Sequence, residues 1–255
     1  MLVDTDAIHV QFYHAPKVLI ADLVQNPKCL LEPQSFPAAQ LTLSYQSSGA
    51  SSYGNFKIAC PGHTSIPIFG SSTKVCVKRC FFIDPGSSQT RKFYDGAKQA
   101  ELLTMELNCI GWASALMLCV YDFINEKKDH LGFPSFEIPN MRFVECGLAI
   151  SKAANHDTFL LEEFIDTASH SNWFVKYLNN NSARPRAFSD HRQAHRADFL
   201  SFAQHVQFWK TNGLAFVSDL QGMFSFVPRN RTYFMQRWSN SFNRPTDYYT
   251  SVRQF

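Results

Sequence analysis

The alternation of apolar and polar positions divides the chain into a strand-rich first part, one long helix and a mixed remainder. The segments "NFKIAC" (55–60) and "KVCVKRCFFI" (74–83) alternate as half-buried strands do, and a Pro- and Gly-containing stretch lies between them. This pattern predicts a β-hairpin or meander. Residues 95–128 then carry apolar side chains at three- and four-residue spacing without a proline, which predicts a long helix. Its apolar face contains Leu102, Leu103, Leu107, Ile110, Ala113, Leu116 and Val120.

The part of the chain after this helix mixes strands with one further helix. Strands are predicted in "FPSFEIPNMRFVECGLAIS" and "TFLLEEFID", and a short strand in "FVKYLNNNSARPRAF" leaves through an Asn-rich loop. "AHRADFLSFAQHVQFWKTNG" (194–213) has a helical apolar face, and "LAFVSD" (214–219) predicts a final strand. Because βα units of similar length do not alternate, this order predicts an α+β fold with two lobes instead of a doubly wound sheet.

The predicted domain boundaries follow from the same pattern, with the junction of the lobes at "LEEFID". Residues 1–50 form a poorly defined segment, and residues 51–160 form a β-rich N-lobe that includes the long helix. Residues 161–222 are expected to form a partial C-lobe of mixed structure, and residues 223–255 a divergent tail.

Composition narrows the class of protein. Hydrophobic residues make up 45% of the 255 residues and charged residues 18%, and the net charge of +3 is too small to indicate a nucleic-acid or anionic-membrane partner. No apolar run reaches the roughly 20 residues of a membrane helix. The N-terminal "MLVDTDAIHV" lacks the basic n-region of a secretory signal, and seven Cys without a C-x-x-C pair are typical of reduced thiols. A cytoplasmic protein without nucleic-acid or membrane partners is therefore expected.

Lys78 lies in the middle of an apolar strand, where a cation is costly to bury unless an anion meets it. Two interpretations are open. Either the strand forms an edge of the sheet and Lys78 and Arg79 reach solvent, or Lys78 binds a phosphate, as strand lysines do in nucleotide sites. The upstream glycines Gly49 and Gly54 would suit a loop over phosphates, but they have no recognised spacing.

Four acidic residues are candidates to accompany Lys78. Glu101 and Glu106 lie on the long helix, where either of them could pair with Lys78 or face solvent. The segment "FLLEEFID" places Glu162 and Glu163 directly after three apolar residues, so alternation sends one of them inward. The alternative for these two acids is an ordinary strand end.

Asp219 and Gln221 follow the last predicted strand and precede Gly222. Strand alternation would put both side chains on one side and Leu220 on the other. Two oxygen-bearing side chains at a strand end suit Mg²⁺, which takes one or two protein oxygens together with phosphates and waters. A surface turn is the alternative.

In their order along the chain, these segments resemble the alpha-kinase family of atypical protein kinases. The matching segments, between about residues 50 and 222, are "NFKIACPGH", "KVCVKRCFF", "ELNCIGWASALMLCVYDFI", "FLLEEFID", "FVKYLNNN" and "QHVQFWKTNGLAFVSDLQG". The resemblance implies a two-lobed atypical protein-kinase-like fold with a β-rich N-lobe. It also implies binding of ATP and Mg²⁺ and transfer of the γ-phosphoryl group to Ser or Thr of a protein substrate.

The resemblance implies roles for individual residues. Lys78 becomes the phosphate-binding lysine and Asp219 the catalytic carboxylate, and Gln221 joins Asp219 as a ligand of Mg²⁺. The other nucleotide-binding residues that it implies are Glu106, Glu162 or its alternative Glu163, Lys176 and Asn181.

The chain departs from the family pattern after Gly222. It lacks the family's "T-D-P", whose Asp contributes to catalysis, and it has no further Gly for the substrate loop. Three of the family's four zinc ligands are missing, because no His follows His205 and no Cys follows Cys146, so zinc is predicted to be absent. A kinase of reduced activity is expected. The alternative is a catalytically inactive pseudokinase that acts as a protein-interaction module.

Overall fold

The computed structural model describes residues 7–15, 17–25, 38–43, 52–54, 56–84, 90–165, 175–179, 182–224 and 231–234. In chain order its elements are β1 (Ile8–His14), α1 (Ile20–Gln25), β2 (Ala39–Leu43), β3 (Ser52–Tyr53), β4 (Lys57–Thr64), β5 (Lys74–Ile83), β6 (Arg91–Phe93), α2 (Gly96–Leu131), β7 (Asn140–Phe143), β8 (Cys146–Ser151), β9 (Thr158–Glu163), β10 (Val175–Lys176), β11 (Leu178–Asn179), β12 (Ser182–Pro185), α3 (His191–Lys210), β13 (Gln221–Phe224) and β14 (Arg231–Phe234). The predicted α+β class is confirmed.

The chain forms two compact units. The first falls within Met1–Pro16, Lys28–Gly111 and Glu145–Ile165, and the second within Lys17–Pro27, Trp112–Val144 and Asp166–Phe255. The long helix α2 contributes its first part to the first unit and its remainder to the second. The domain boundaries expected from the sequence stay a prediction.

The first unit is built on an eight-stranded sheet with the order β3-β4-β2-β1-β8-β9-β5-β6, in which β4 also pairs with β5. The predicted hairpin is confirmed, because β4 and β5 pair antiparallel over seven residues. The strand β4 does not stop at the Pro-Gly pair but continues to Thr64. Gly62 allows this, since a Cβ there would lie 2.6 Å from Val77 Cγ2 in the neighbouring strand.

One face of this sheet carries the apolar core of the first unit. Side chains alternate across β5, so Val75 and Val77 point into this core while Lys78 points to the opposite face. The core consists of Val10, Phe12, Ala39, Leu41, Leu43, Cys60, Ile68, Phe69, Val75, Val77, Ala149, Phe159 and Leu161. Burial of this aromatic and aliphatic surface is the main source of stability of the unit.

The first part of α2 is hydrogen bonded to β5 of the sheet. The Gln99 amide donates to the Cys80 carbonyl oxygen (2.6 Å) and accepts from the Cys80 amide nitrogen (2.9 Å). Leu103, Leu107 and Ile110 of the predicted apolar helix face are buried. The helix is thereby held in register with β5.

The helix α2 is also long and apolar enough to pass as a membrane-spanning segment by length and composition. An 18-residue window has a mean hydropathy of 1.5, and half of that window is buried within the protein. A core helix passes the same test, so the expected absence of a membrane partner stays a prediction.

The second unit contains the end of α2, the helix α3 and two small sheets, a four-stranded one with the order β10-β13-β14-β7 and the hairpin β11-β12. Asp190 caps α3, because its carboxylate accepts from the Arg192 amide nitrogen at 3.0 Å. Aromatic side chains connect the two helices, as in the edge-to-face contact of Phe123 with Trp209. The strand predicted over residues 214–219 is not formed, and the strand in this region begins at Gln221.

Candidate functional site

Lys78 is a buried lysine on an interior strand. The strand β5 pairs with β9 on one side and with β4 and then β6 on the other. The alternative of a solvent-exposed edge strand was therefore wrong. Lys78 is 7% exposed, and its Nζ donates to Glu162 Oε1 at 2.6 Å. The two residues are diagonal neighbours, because Lys78 pairs with Leu160 and Cys76 pairs with Glu162. The anion that the buried cation requires is therefore supplied by the next strand.

Glu162 is the inward-facing member of the two acids at the end of β9. It is 1% exposed, whereas Glu163 is half-buried and uses its amide nitrogen to bond the Glu145 carbonyl oxygen. Glu162 Oε1 bonds to Lys78, but Oε2 has no hydrogen-bond donor. A buried carboxylate oxygen without a donor is costly, which makes this position suited to a ligand that brings a donor.

Glu106 bonds to Lys57 of β4. The kinase analogy had allowed a bond from Glu106 to Lys78 instead. Glu101 faces outward and pairs with Lys98 at the helix surface. Lys57 was missed by the sequence reasoning. Only the structure identifies it, because the β4–β5 register puts Lys57 opposite Cys80 and hence on the same sheet face as Lys78.

Lys57, Lys78, Glu106 and Glu162 form a nearly buried cluster with no net charge. Burial disfavours ionisation of Glu106, but the charges of Lys57 and Lys78 outweigh burial and lower its pKa. Burial likewise opposes the charge of Lys78, but Glu162 and Glu106 outweigh it and raise the pKa of the ammonium. Lys78 and Glu106 are therefore both charged at neutral pH, and each has a partner of opposite charge.

Four cysteines around this cluster are protonated thiols. Burial, reinforced by the nearby carboxylates, raises the pKa of Cys76, Cys80 and Cys109 to about 12 and that of Cys146 well above its usual 9.0. Cys76 and Cys146 pair with Glu162 from either side. Because the thiolate is the reactive form, these side chains act as small apolar groups.

Asp219 lies in the second unit and is 5% exposed. Its φ of 58° places it in the left-handed region, which Asp tolerates better than most residues, so it belongs to a turn that precedes β13. The expected strand alternation of Asp219 and Gln221 was therefore wrong. Lys176 Nζ lies 2.5 Å from Asp219 Oδ1, so the two side chains form a close ion pair.

Lys176, Gln221 and Asp219 are brought together at the pairing of β10 with β13. Lys176 is the cross-strand partner of Gln221, and it also forms the ion pair with Asp219. Gln221 is half-buried. The turn is held from this side by Leu220, whose carbonyl oxygen accepts from the Tyr177 amide nitrogen at 2.9 Å. Asn181, the remaining candidate, lies outside the described residues.

The donor set of the second unit suits Mg²⁺ better than a structural metal. Among the described residues, no group of three or more His, Cys, Asp or Glu side chains is placed to hold a metal ion. Asp219 and Gln221 would offer one carboxylate and one amide oxygen, and Mg²⁺ commonly completes its octahedron with phosphate oxygens and water. His205 is exposed on α3, and the absence of zinc stays a prediction.

Each unit thus carries one part of the expected chemistry. The first unit holds a buried lysine whose counterion is a carboxylate, an arrangement that can exchange the carboxylate for a phosphate. The second unit holds a buried carboxylate beside a lysine and a half-buried amide, an arrangement that can bind a hard cation or accept a proton. That both parts bind one nucleotide stays a prediction.

The comparison with protein families identifies the class of protein. The model of the alpha-kinase family matches residues 54–239. The chain belongs to the alpha-kinase family. The match confirms the resemblance seen in the sequence and continues beyond Gly222, where the resemblance had been expected to end.

No curated protein matches the sequence. Among solved structures, the chain is similar to the alpha-kinase domain of myosin heavy chain kinase A in complex with ADP, at 12% identity and a TM-score of 0.42 over 77% of this chain and 72% of that one. It is equally similar to a catalytic-domain mutant of that kinase, at 11% identity and a TM-score of 0.42 over 77% and 73%. Likeness at this level carries no argument about the site, and the family assignment rests on the family match.

Proposed function

We propose that this protein is an ATP-binding alpha-type protein kinase that transfers the γ-phosphoryl group of Mg-ATP to Ser or Thr of a protein substrate, with reduced activity. The observation that carries the proposal is the burial of both Lys78 and Asp219, each beside an opposite charge, within a chain of the alpha-kinase family. Buried charges of this kind cost stability unless they serve a ligand or a specific structure. A cytoplasmic location is part of the proposal.

Lys78 would bind a phosphate of ATP by exchanging its partner. Its ammonium donates to Glu162 Oε1 at 2.6 Å. A phosphate oxygen offers a charge-assisted hydrogen bond of the same type. The second oxygen of Glu162 has no donor, so this carboxylate is suited to accept from an amino group such as that of adenine.

Asp219 and Gln221 would hold the divalent ion of Mg-ATP. When bound, Mg²⁺ neutralises charge on the phosphates, and much of phosphoryl transfer depends on such neutralisation and on positioning. Asp219 is also the candidate to accept the proton of the substrate hydroxyl. Lys176, 2.5 Å from Asp219, would hold that carboxylate in its orientation.

A second candidate function, a pseudokinase that acts through protein contacts, is favoured by one observation. The sequence after Gly222 contains a single acid, Asp247, and its "T-D-Y" context does not match the family's "T-D-P". Loss of one positioned acid or base typically costs about 10²–10⁴ in rate. Reduced activity and complete loss of activity are therefore the two outcomes to separate by experiment.

Calorimetry of ATP binding with and without Mg²⁺, followed by transfer of labelled phosphate to a mixed peptide substrate, tests the proposal. Lys78→Met should weaken ATP binding about tenfold to a hundredfold, since a hydrogen bond to a charged group contributes about 1.5–3 kcal/mol. Lys98→Met, at an exposed surface pair, is the matched control. Folded wild-type protein that binds no Mg-ATP would refute the nucleotide site, and ATP binding without transfer would favour the pseudokinase.

A further inference from the structure

No strand forms over residues 214–219, and the backbone of Ala215 and Val217 is instead hydrogen bonded to two side chains of α3 and to that of its C-cap residue. The donors and acceptors come from Gln204, Gln207 and Thr211, which are spaced by three and four residues and therefore share one helix face. The residues that they hold, Ala215 and Val217, alternate along the segment.

Two glutamines bracket the backbone of Val217. The Gln204 Nε2 donates to the Val217 carbonyl oxygen at 2.7 Å, and the Val217 amide nitrogen donates to Gln207 Oε1 at 2.8 Å. Gln204 is 5% exposed and Gln207 is 0% exposed. Because a carbonyl only accepts and an N–H only donates, the backbone of Val217 determines which end of each amide faces it.

Thr211 holds Ala215 in the same manner one turn further along α3. Its hydroxyl accepts from the Ala215 amide nitrogen at 3.0 Å, and Thr211 Oγ1 also lies 3.0 Å from the Ala215 carbonyl oxygen. The three side chains thus do for this segment what a neighbouring strand would do in a sheet.

The free-energy cost of this arrangement is visible. Gln204 Oε1 and Gln207 Nε2 are buried and have no hydrogen-bond partner among the residues that the structure describes. Each unpaired amide end costs about 1–3 kcal/mol, and apolar residues of similar size on α3 would avoid it. Retaining two such amides is therefore best explained by what they hold.

The two amides hold the backbone segment that leads into Asp219. Val217 lies two residues before Asp219, and the Leu220 carbonyl oxygen on the other side is bound by the Tyr177 amide nitrogen. The intervening turn places Asp219 in the left-handed region, where a non-glycine residue remains only if its surroundings hold it.

We propose that Gln204 and Gln207 are positioning residues that act through Asp219: they hold the backbone of Val217 so that the Asp219 carboxylate faces the Mg²⁺ of the bound nucleotide. The inference rests on the proposed function of Asp219. It concerns orientation, since both side-chain amides bond to the backbone of Val217.

The two side-chain amides act in opposite ways, one as a hydrogen-bond donor and the other as an acceptor, and this provides a specific test. Gln207 acts as an acceptor, so Gln207→Glu retains the bond to the Val217 amide, whereas Gln207→Met removes it. Gln204 acts as a donor, so both Gln204→Glu and Gln204→Met remove the bond to the Val217 carbonyl. Gln193→Met, in the first turn of α3, is the matched control.

The measurement is the ratio of ATP dissociation constants without and with Mg²⁺, determined by calorimetry well below the unfolding temperature of each variant. Gln207→Met should lower this ratio at least about tenfold, while ATP binding without Mg²⁺ stays unchanged and Gln207→Glu retains most of the ratio. In an Asp219→Asn background, Gln207→Met should cause no further loss, since residues that act through one another are not additive. A variant with a general folding defect would instead weaken binding with and without Mg²⁺. If Gln207→Met does not fold, Thr211→Val replaces it.

The outcomes separate this inference from the proposed function. If wild-type protein shows a Mg²⁺-dependent gain in ATP affinity that all Gln204 and Gln207 variants retain, the positioning inference is wrong and the proposed function stands. If wild-type protein shows no such gain, the proposed function of Asp219 fails, and the inference fails with it.

Discussion

Replacing Lys78 by methionine is expected to separate the part that this residue plays in the fold from its part in nucleotide binding. Lys78 is the partner of Glu162, whose side chain is 2% exposed and whose second oxygen already lacks a donor. Lys78→Met leaves this carboxylate unpaired and gives the charge cluster an excess negative charge. Removing one member of a buried ion pair typically costs about 3–5 kcal/mol.

The double variant Lys78→Met/Glu162→Leu removes both charges and leaves Lys57 and Glu106 as a neutral pair. Replacing a whole buried pair by apolar residues is often neutral, so at least about half of the lost stability should return. ATP binding should stay weak in both variants, because neither has the ammonium. Stability and binding would then change independently.

Urea unfolding followed by circular dichroism, together with hydrogen exchange of the β5 amides, measures the effect in the first unit. With slopes of about 1–3 kcal/mol per molar, Lys78→Met should lower the midpoint by about 1–2 M or more. The control Lys98→Met breaks a surface pair and should change stability by less than about 0.5 kcal/mol. A loss below about 1 kcal/mol for Lys78→Met, or a double variant no more stable than the single one, would show that the pair is solvated and refute the reasoning.

Three further outcomes are expected. Lys176→Met should leave Asp219 without its cation, lower the transfer rate about tenfold or more and weaken Mg-ATP binding, while ATP binding without Mg²⁺ changes little; steady-state kinetics and calorimetry would show this. The pKa of Glu106 is lowered, so its stabilising contribution is present above the usual carboxyl pKa of 4.5 and is lost as the pH falls through its folded-state pKa. The difference in unfolding free energy between wild type and Glu106→Gln should therefore shrink below about pH 4 in urea titrations. Elemental analysis should find no stoichiometric zinc, and zinc lost on His205→Ala would contradict this.

Much of the architecture could be predicted from the sequence because it depends on local periodicity. The alternation in β4 and β5 and the three- and four-residue spacing of α2 and α3 each describe one face of one element. Such a face must be buried whatever covers it, so the element type follows without knowledge of the partner. The family resemblance rested on the same segments, because their order along the chain is also a property of the sequence.

The pairing of charges could not be predicted in this way. The sequence offered several acids for Lys78, and the kinase analogy allowed either Glu101 or Glu106 on the helix. The register of β5 with β9 instead places Glu162 diagonally from Lys78, and the register of β4 with β5 brings Lys57 to Glu106. A shift of one residue in either pairing would turn these side chains to the other face, so the partners depend on tertiary register.

The segment before Asp219 shows most clearly what the sequence predicts and what only the tertiary structure determines. Its run of apolar residues is compatible with a strand, and the sequence indicates no more than that compatibility. A strand forms only where a second strand offers backbone donors and acceptors. Here Gln204 and Gln207 of α3 and its C-cap Thr211 provide these donors and acceptors. The segment therefore stays irregular, and Asp219 lies in a left-handed turn instead of a strand. Local pattern determined the elements, whereas competition for backbone hydrogen bonds in the folded chain decided how the candidate catalytic carboxylate is presented.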